Sequence, residues 1–114
     1  MNKKQKTIKD MTEEAVKSFD SYEAQGTKKW GWESAAKDLP YQVGSIAKIM
    51  QQLTKERWAE GKSKKQLKAE LSDELADVIA CTLFIAAKLE IDVNNAWQNM
   101  LDSDKRKISK RVKK

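Results

Sequence analysis

The chain has 114 residues, a length that suits one domain, 1–114, and no second. Only four Gly and one Pro against 35% charged residues argue for long helices and against a sandwich, a barrel or a disordered chain. The absence of His excludes Ser-His-Asp and Cys-His catalysis and imidazole zinc sites, while the single Cys81 excludes an internal disulfide and fits a reducing compartment.

The net charge of +6 is unevenly spread. Lys3, Lys4, Lys6 and Lys9 crowd one end, and positions 105 to 114 hold seven basic residues, so positions 10 to 104 carry twelve basic residues against all seventeen acidic ones. The pattern is an acidic body with short basic ends at about 1–6 and 109–114. No apolar run reaches the roughly 20 residues of a membrane span. No apolar segment follows Met1-Asn2-Lys3-Lys4 as a signal peptide would require. The expectation is a cytoplasmic protein with no membrane partner.

The first predicted helix covers residues 5 to 25, where Ile8, Met11, Ala15, Val16, Phe19 and Tyr22 recur at steps of three and four. Gly26 ends it, and a polar link leads to Trp30-Gly31-Trp32 in a connection. The second helix is expected from Asp38, as a cap ahead of Pro40, to about Ala59, with Val43, Ile46, Ile49, Met50 and Leu53 on its apolar face and a stop at Gly61. Ser63 opens the third, and Gln66 completes a capping box. Leu67, Leu71, Leu75, Val78, Ile79, Leu83, Ile85 and Leu89 make that helix broadly apolar, which places it centrally or against a partner subunit. Asp92 caps the fourth, whose stripe is Val93, Ala96, Trp97, Met100, Leu101 and Ile108; Trp97 is expected in the core, and 109–114 are expected to fray. The fold class is all-α, a four-helix bundle.

Chemistry concentrates on the third helix. Glu70, Glu74 and Asp77 fall on one side about a turn apart, with Asp73 beside them. Oxygen ligands on a rigid helix suit Mg²⁺, which needs one or two carboxylates and takes its other ligands from water and phosphates. The plainer reading is a solvated acidic face balanced by Lys64, Lys65 and Lys68. Trp30 and Trp32 either stack on a base or plug the end of the bundle. Gly44 reads as a close helix crossing, and Cys81 as a small buried hydrophobe rather than a nucleophile.

Glu74-Leu75-Ala76-Asp77 runs into an apolar stretch, then Lys88 and Leu89-Glu90-Ile91-Asp92, and Asp104-Lys105-Arg106-Lys107 lies near the end. Upstream stands Val43-Gly44-Ser45-Ile46-Ala47-Lys48. This order resembles the MazG-like nucleotide pyrophosphohydrolases of the all-α NTP pyrophosphatase superfamily over positions 38 to 108. Their corresponding motifs are Glu-x-x-Asp, Leu-Gly-Ile-Asp, Asn-x-Arg-Lys and Glu-Val-Gly-Glu-Leu-Ala-Lys. The chain departs at the family's Glu-Glu-x-x-Glu motif, whose carboxylate positions fall on Tyr41, Gln42 and Ser45, and at Glu90, where the family has Gly.

The resemblance implies a dimer or dimer of dimers. It implies Glu74 and Asp77 as catalytic and Mg²⁺-binding residues, with Glu70 and Asp73 as further metal candidates. Lys88, Arg106 and Lys107 become nucleotide contacts, joined by Trp30 and Trp32 if those stack on the base. The implied reaction is hydrolysis of an NTP or dNTP to monophosphate and pyrophosphate. Among substitute acids, Glu33 or Asp38 could be supplied by a partner subunit. Glu56 and Glu60, placed on a continuing second helix, are expected too far from Ser45 to share its site. Two alternatives stand beside the hydrolase: a family member without turnover that binds nucleotide or protein, and a nucleic-acid-binding bundle using the basic ends, which the acidic body disfavours.

Overall fold

The computed structural model describes residues 5–24 and 31–112. The described residues form four helices and no strand: α1 (Ile8–Ala24), α2 (Trp32–Leu53), α3 (Lys64–Lys88) and α4 (Val93–Val112). The Gly26 end of α1, the polar link after it, Trp30 and the extreme basic ends lie outside the described residues.

Helix α1 starts at a reciprocal cap. The Thr7 N–H donates to Asp10 Oδ2 and the Asp10 N–H donates to Thr7 Oγ1, each at 3.1 Å. The cap at Ser63 is the expected one: the Gln66 N–H donates to Ser63 Oγ at 3.2 Å and the Ser63 N–H donates to Gln66 Oε1 at 2.8 Å. Asp92 accepts from the Asn95 N–H at 3.2 Å and so caps α4, which continues to Val112 where fraying was expected from 109.

Helix α2 departs from expectation at both ends. It begins at Trp32, six residues before Asp38, and leaves Pro40 in its interior. Pro40 has no N–H to donate there, so one rung of the helix is missing. It ends at Leu53, not Ala59. The Lys55 N–H donates to the Gln52 carbonyl at 3.3 Å and the Glu56 N–H to the Gln51 carbonyl at 2.9 Å. This is a Schellman turn with Lys55 at φ 66°, the left-handed position that Gly usually takes. Gly61 at φ 77° serves a separate turn just before α3. Helix α3 closes in the same way: the Ile91 N–H reaches the Ala86 carbonyl at 2.8 Å and the Glu90 N–H the Ala87 carbonyl at 3.2 Å, with Glu90 at φ 56°.

Helix α3 is central and packs against both α1 and α2. Its Cys81 and Phe84 join Ala35 of α2 in the core, and Val16, Phe19, Trp32, Leu39 and Ile85 pack around them. The Phe19 and Phe84 rings meet edge to face at 4.9 Å, a geometry worth about 1 kcal/mol beyond burial. Lys88 Nζ lies 5.4 Å from the Phe84 ring centre and 3.5 Å from Asp20 Oδ1, tying the end of α3 to α1.

The four described helices fit a helical bundle, with α4 outside the buried core. Helix α4 buries none of its residues, and Trp97, expected in the core, is 61% exposed. The radius of gyration is 17.9 Å, against about 13 Å for a compact chain of this size. Gly44 is also corrected: a Cβ there would meet nothing within 4 Å, so no close helix crossing requires it.

Candidate functional site

A cleft of about 330 Å³ opens between α2 and α3, lined by Ser45, Lys48, Ile49 and Gln52 of α2, by Lys62 before α3, and by Glu70, Asp73 and Glu74 of α3. Spacing explains each wall. Ser45, Lys48, Ile49 and Gln52 recur at three and four, and so do Glu70, Asp73 and Glu74. The 28-residue spacer between Ser45 and Glu74 folds back so that these two positions face one cleft from opposite helices.

The loop between α2 and α3 delivers charge to the cleft. Gln52, 4% exposed, donates from Nε2 to the Trp58 carbonyl at 3.2 Å and pins that loop. Because α2 stops at Leu53, the chain turns back and Glu60 reaches the cleft rim: its Oε1 lies 3.5 Å from Lys48 Nζ and its Oε2 3.9 Å from Lys62 Nζ. Glu60 was expected on a continuing second helix; it sits instead in the loop after α2 and pairs with two lysines that line the cleft. Lys62 Nζ also pairs with Glu70 Oε1 at 2.9 Å, and the hydrogen bond to Glu70 raises the Lys62 pKa. The cation answering Glu70 is thus Lys62, whereas Lys64, Lys65 and Lys68 were expected to balance the acidic face. Asp73 and Glu74 enter no ion pair among the described residues.

Asp77 lies one turn beyond Glu74 and outside the cleft lining. Its carboxyl is pushed up, first by desolvation and then by the charge of Asp73. Next to it is Cys81, 2% exposed, whose thiol is pushed up chiefly by burial and further by the charges of Asp38 and Asp77. Gln42 Nε2 donates to Cys81 Sγ at 3.6 Å, while its buried Oε1 has no hydrogen-bond partner among the described residues. Tyr41 points to solvent at 79% exposure. Of the three positions where the resembling motif carries carboxylates, only Ser45 lines the cleft.

Among the described residues no three His, Cys, Asp or Glu side chains are grouped to hold a metal ion. Asp73 and Glu74, both in the cleft lining, are the carboxylates that could hold a Mg²⁺ arriving on a triphosphate, which needs one or two from protein.

The remaining candidates stand elsewhere. Lys88 lies fourteen residues along α3 from Glu74, about 21 Å on a helix, and is engaged by Asp20 and Phe84. Trp32 packs against the Ala35–Cys81–Phe84 core. Arg106 and Lys107 are exposed on α4 and do not line the cleft. Spacing alone could have found Lys48, one turn from Ser45. Lys62 and Glu60 come to the cleft by the path of a loop, which no periodicity reports.

No helix among the described residues is long and apolar enough to cross a membrane. No family model matches the chain, and no curated protein matches it.

Proposed function

We propose that this chain is a MazG-like nucleotide pyrophosphohydrolase that takes the magnesium complex of an NTP or dNTP in the α2–α3 cleft. The observation that supports the reading most is that Ser45 and Glu74, from the two motifs of the resemblance, line the same cleft from opposite helices. Lys48 and Lys62 on its walls supply positive charge for phosphate oxygens. Asp73 and Glu74 hold the carboxylate side that receives the substrate's cation, and Asp77 extends it by one turn. The Mg²⁺ carried by the substrate neutralises charge on the phosphates. One water adds across the α–β phosphoanhydride, whose P–O bond breaks, giving monophosphate and pyrophosphate.

The second reading, a nucleotide-binding or protein-interaction module without turnover, draws on Tyr41, Gln42 and Ser45 in place of acids and on Glu70 held by Lys62.

The test is purified full-length protein with each NTP and dNTP plus Mg²⁺, products separated by chromatography, beside Glu74→Ala. Monophosphate and pyrophosphate that vanish in Glu74→Ala are the expected result. No product at high protein concentration overturns hydrolysis, and calorimetric titration with the same nucleotides then separates binding from its absence.

A further inference from the structure

Both lysines that the α2–α3 cleft offers to a phosphate already face a carboxylate. Glu60 Oε1 lies 3.5 Å from Lys48 Nζ, and Glu60 Oε2 lies 3.9 Å from Lys62 Nζ. Lys62 Nζ also holds Glu70 Oε1 at 2.9 Å. A phosphate that binds these lysines must therefore displace a carboxylate of the chain itself.

The two carboxylates are held differently. Glu70 stands inside α3, and its pair with Lys62 is short. Glu60 stands in a turn: the Lys62 N–H donates to the Ala59 carbonyl at 3.0 Å, and the two residues between them, Glu60 and Gly61, have φ of 57° and 77°. Positive φ at both central positions is the type I′ pattern, which Gly, Asn and Asp dominate. Gly61 suits it and Glu60 does not. Backbone preference works against Glu at this place; what Glu supplies there is a carboxylate that reaches both lysines. Its grip is loose. Both distances approach the limit of an ion pair and all three side chains are partly exposed, a setting in which such pairs are weak.

The loop before the turn is fastened separately. Gln52 Nε2 donates to the Trp58 carbonyl at 3.2 Å, and Arg57 Nε donates to Gln51 Oε1 at 2.9 Å. Neither bond involves Glu60, so its side chain can leave the lysines without undoing them.

We infer that Glu60 is an internal stand-in for substrate phosphate: its carboxylate spans Lys48 and Lys62 until the triphosphate displaces it. The inference rests on the nucleotide reading of the cleft. Two negative oxygens bridging two ammonium groups are matched by two non-bridging oxygens of a phosphate, which carry more charge. Glu60 thus holds the two lysines in position and, as a competitor, lowers the affinity of the cleft for its substrate.

The test is calorimetric titration of the full chain with the α,β-imido analogue of each NTP and dNTP in excess Mg²⁺, since these analogues resist cleavage at that bond. Glu60→Gln keeps the size of the side chain and removes its charge. Glu60→Asn removes charge and reach and also suits the turn, so folding does not confound it. Each is expected to bind the preferred analogue about tenfold more tightly than the wild type, the scale of two weak ion pairs. Lys48→Gln should bind it more weakly, and in that background Glu60→Gln should gain about threefold or less, because half of the competition is gone. Binding that depends on Lys48 but is unchanged or weakened in both Glu60 variants overturns the inference and leaves the nucleotide reading standing. A gain from Glu60→Gln that is equal with and without Lys48 also overturns it, since that assigns the gain to a general loss of negative charge. No binding by the wild type or any variant overturns both.

Discussion

Phe84 and Trp97 are both aromatic residues on amphipathic helical stripes, yet Phe84 is fully buried and Trp97 is 61% exposed. Around Phe84, three helices meet with an edge-to-face ring pair and a lysine over the ring. Around Trp97 there is one helix and no neighbour that buries it. A stripe says which face of a helix wants burial; it does not say which surface will cover it, or whether that surface belongs to the same chain. The α1–α3 unit answers the question internally, and α4 leaves it open.

The largest contrast comes from truncating the two rings. Phe84→Ala should lower stability by about 3–5 kcal/mol in urea unfolding, because the void sits where α1, α2 and α3 meet. Trp97→Ala, measured at protein concentrations too low for association, should change it by no more than about 0.5 kcal/mol. Equal losses would mean that the two regions share one core.

The joint between the regions is Glu90. Its φ of 56° is a left-handed conformation that costs a residue with a Cβ about 1 kcal/mol or more. Glu90→Gly should therefore raise stability by about 1 kcal/mol in the same unfolding experiment, less the greater chain entropy of Gly. Gly44 is the converse. It lies inside α2 with open space at its Cβ position, so Gly44→Ala should add about 1 kcal/mol. Destabilisation by Gly44→Ala would point to a contact made by another molecule at that face.

The smallest effect concerns Asp77. Its pKa is raised in the folded chain by desolvation and by Asp73. The folded state thus holds this proton more tightly than the unfolded state. The associated stability is present in acid and is lost as the pH rises through the carboxylate range. At neutral pH the ionised Asp77 is a net cost, and Asp77→Asn should raise the Tm. The gain should fade as the pH falls below the ordinary value of 3.8. A gain independent of pH would assign it to something other than charge.

What could be read in advance divides along local and non-local lines. Ser63 with Gln66, and Asp92, announce helix starts through chemistry contained in four residues, and the structure carries those bonds. The all-helical class follows from periodicity in the same way. The ends of α2 were illegible because Pro40, a start signal, lies inside the helix, and Gly61 serves a separate turn before α3. Lys55, with no such signal, makes the turn. Half of the cleft was legible, since Ser45 and Glu74 follow from helical spacing once α2 and α3 pair. Glu60 and Lys62 were not, because they reach the cleft only through the loop that begins at Lys55. Trp97 was misplaced because its stripe is real but no described residue buries it.

The most direct test is amide hydrogen exchange, followed residue by residue at a low and a high protein concentration. Amides of α3 around Cys81 and Phe84 should be protected to the same degree in both. Amides of α4 from Ala96 to Ile108 should exchange much faster than those of α3 at the low concentration. Protection of α4 equal to that of α3 at the low concentration would contradict the division between a three-helix core and a fourth helix that stands outside it.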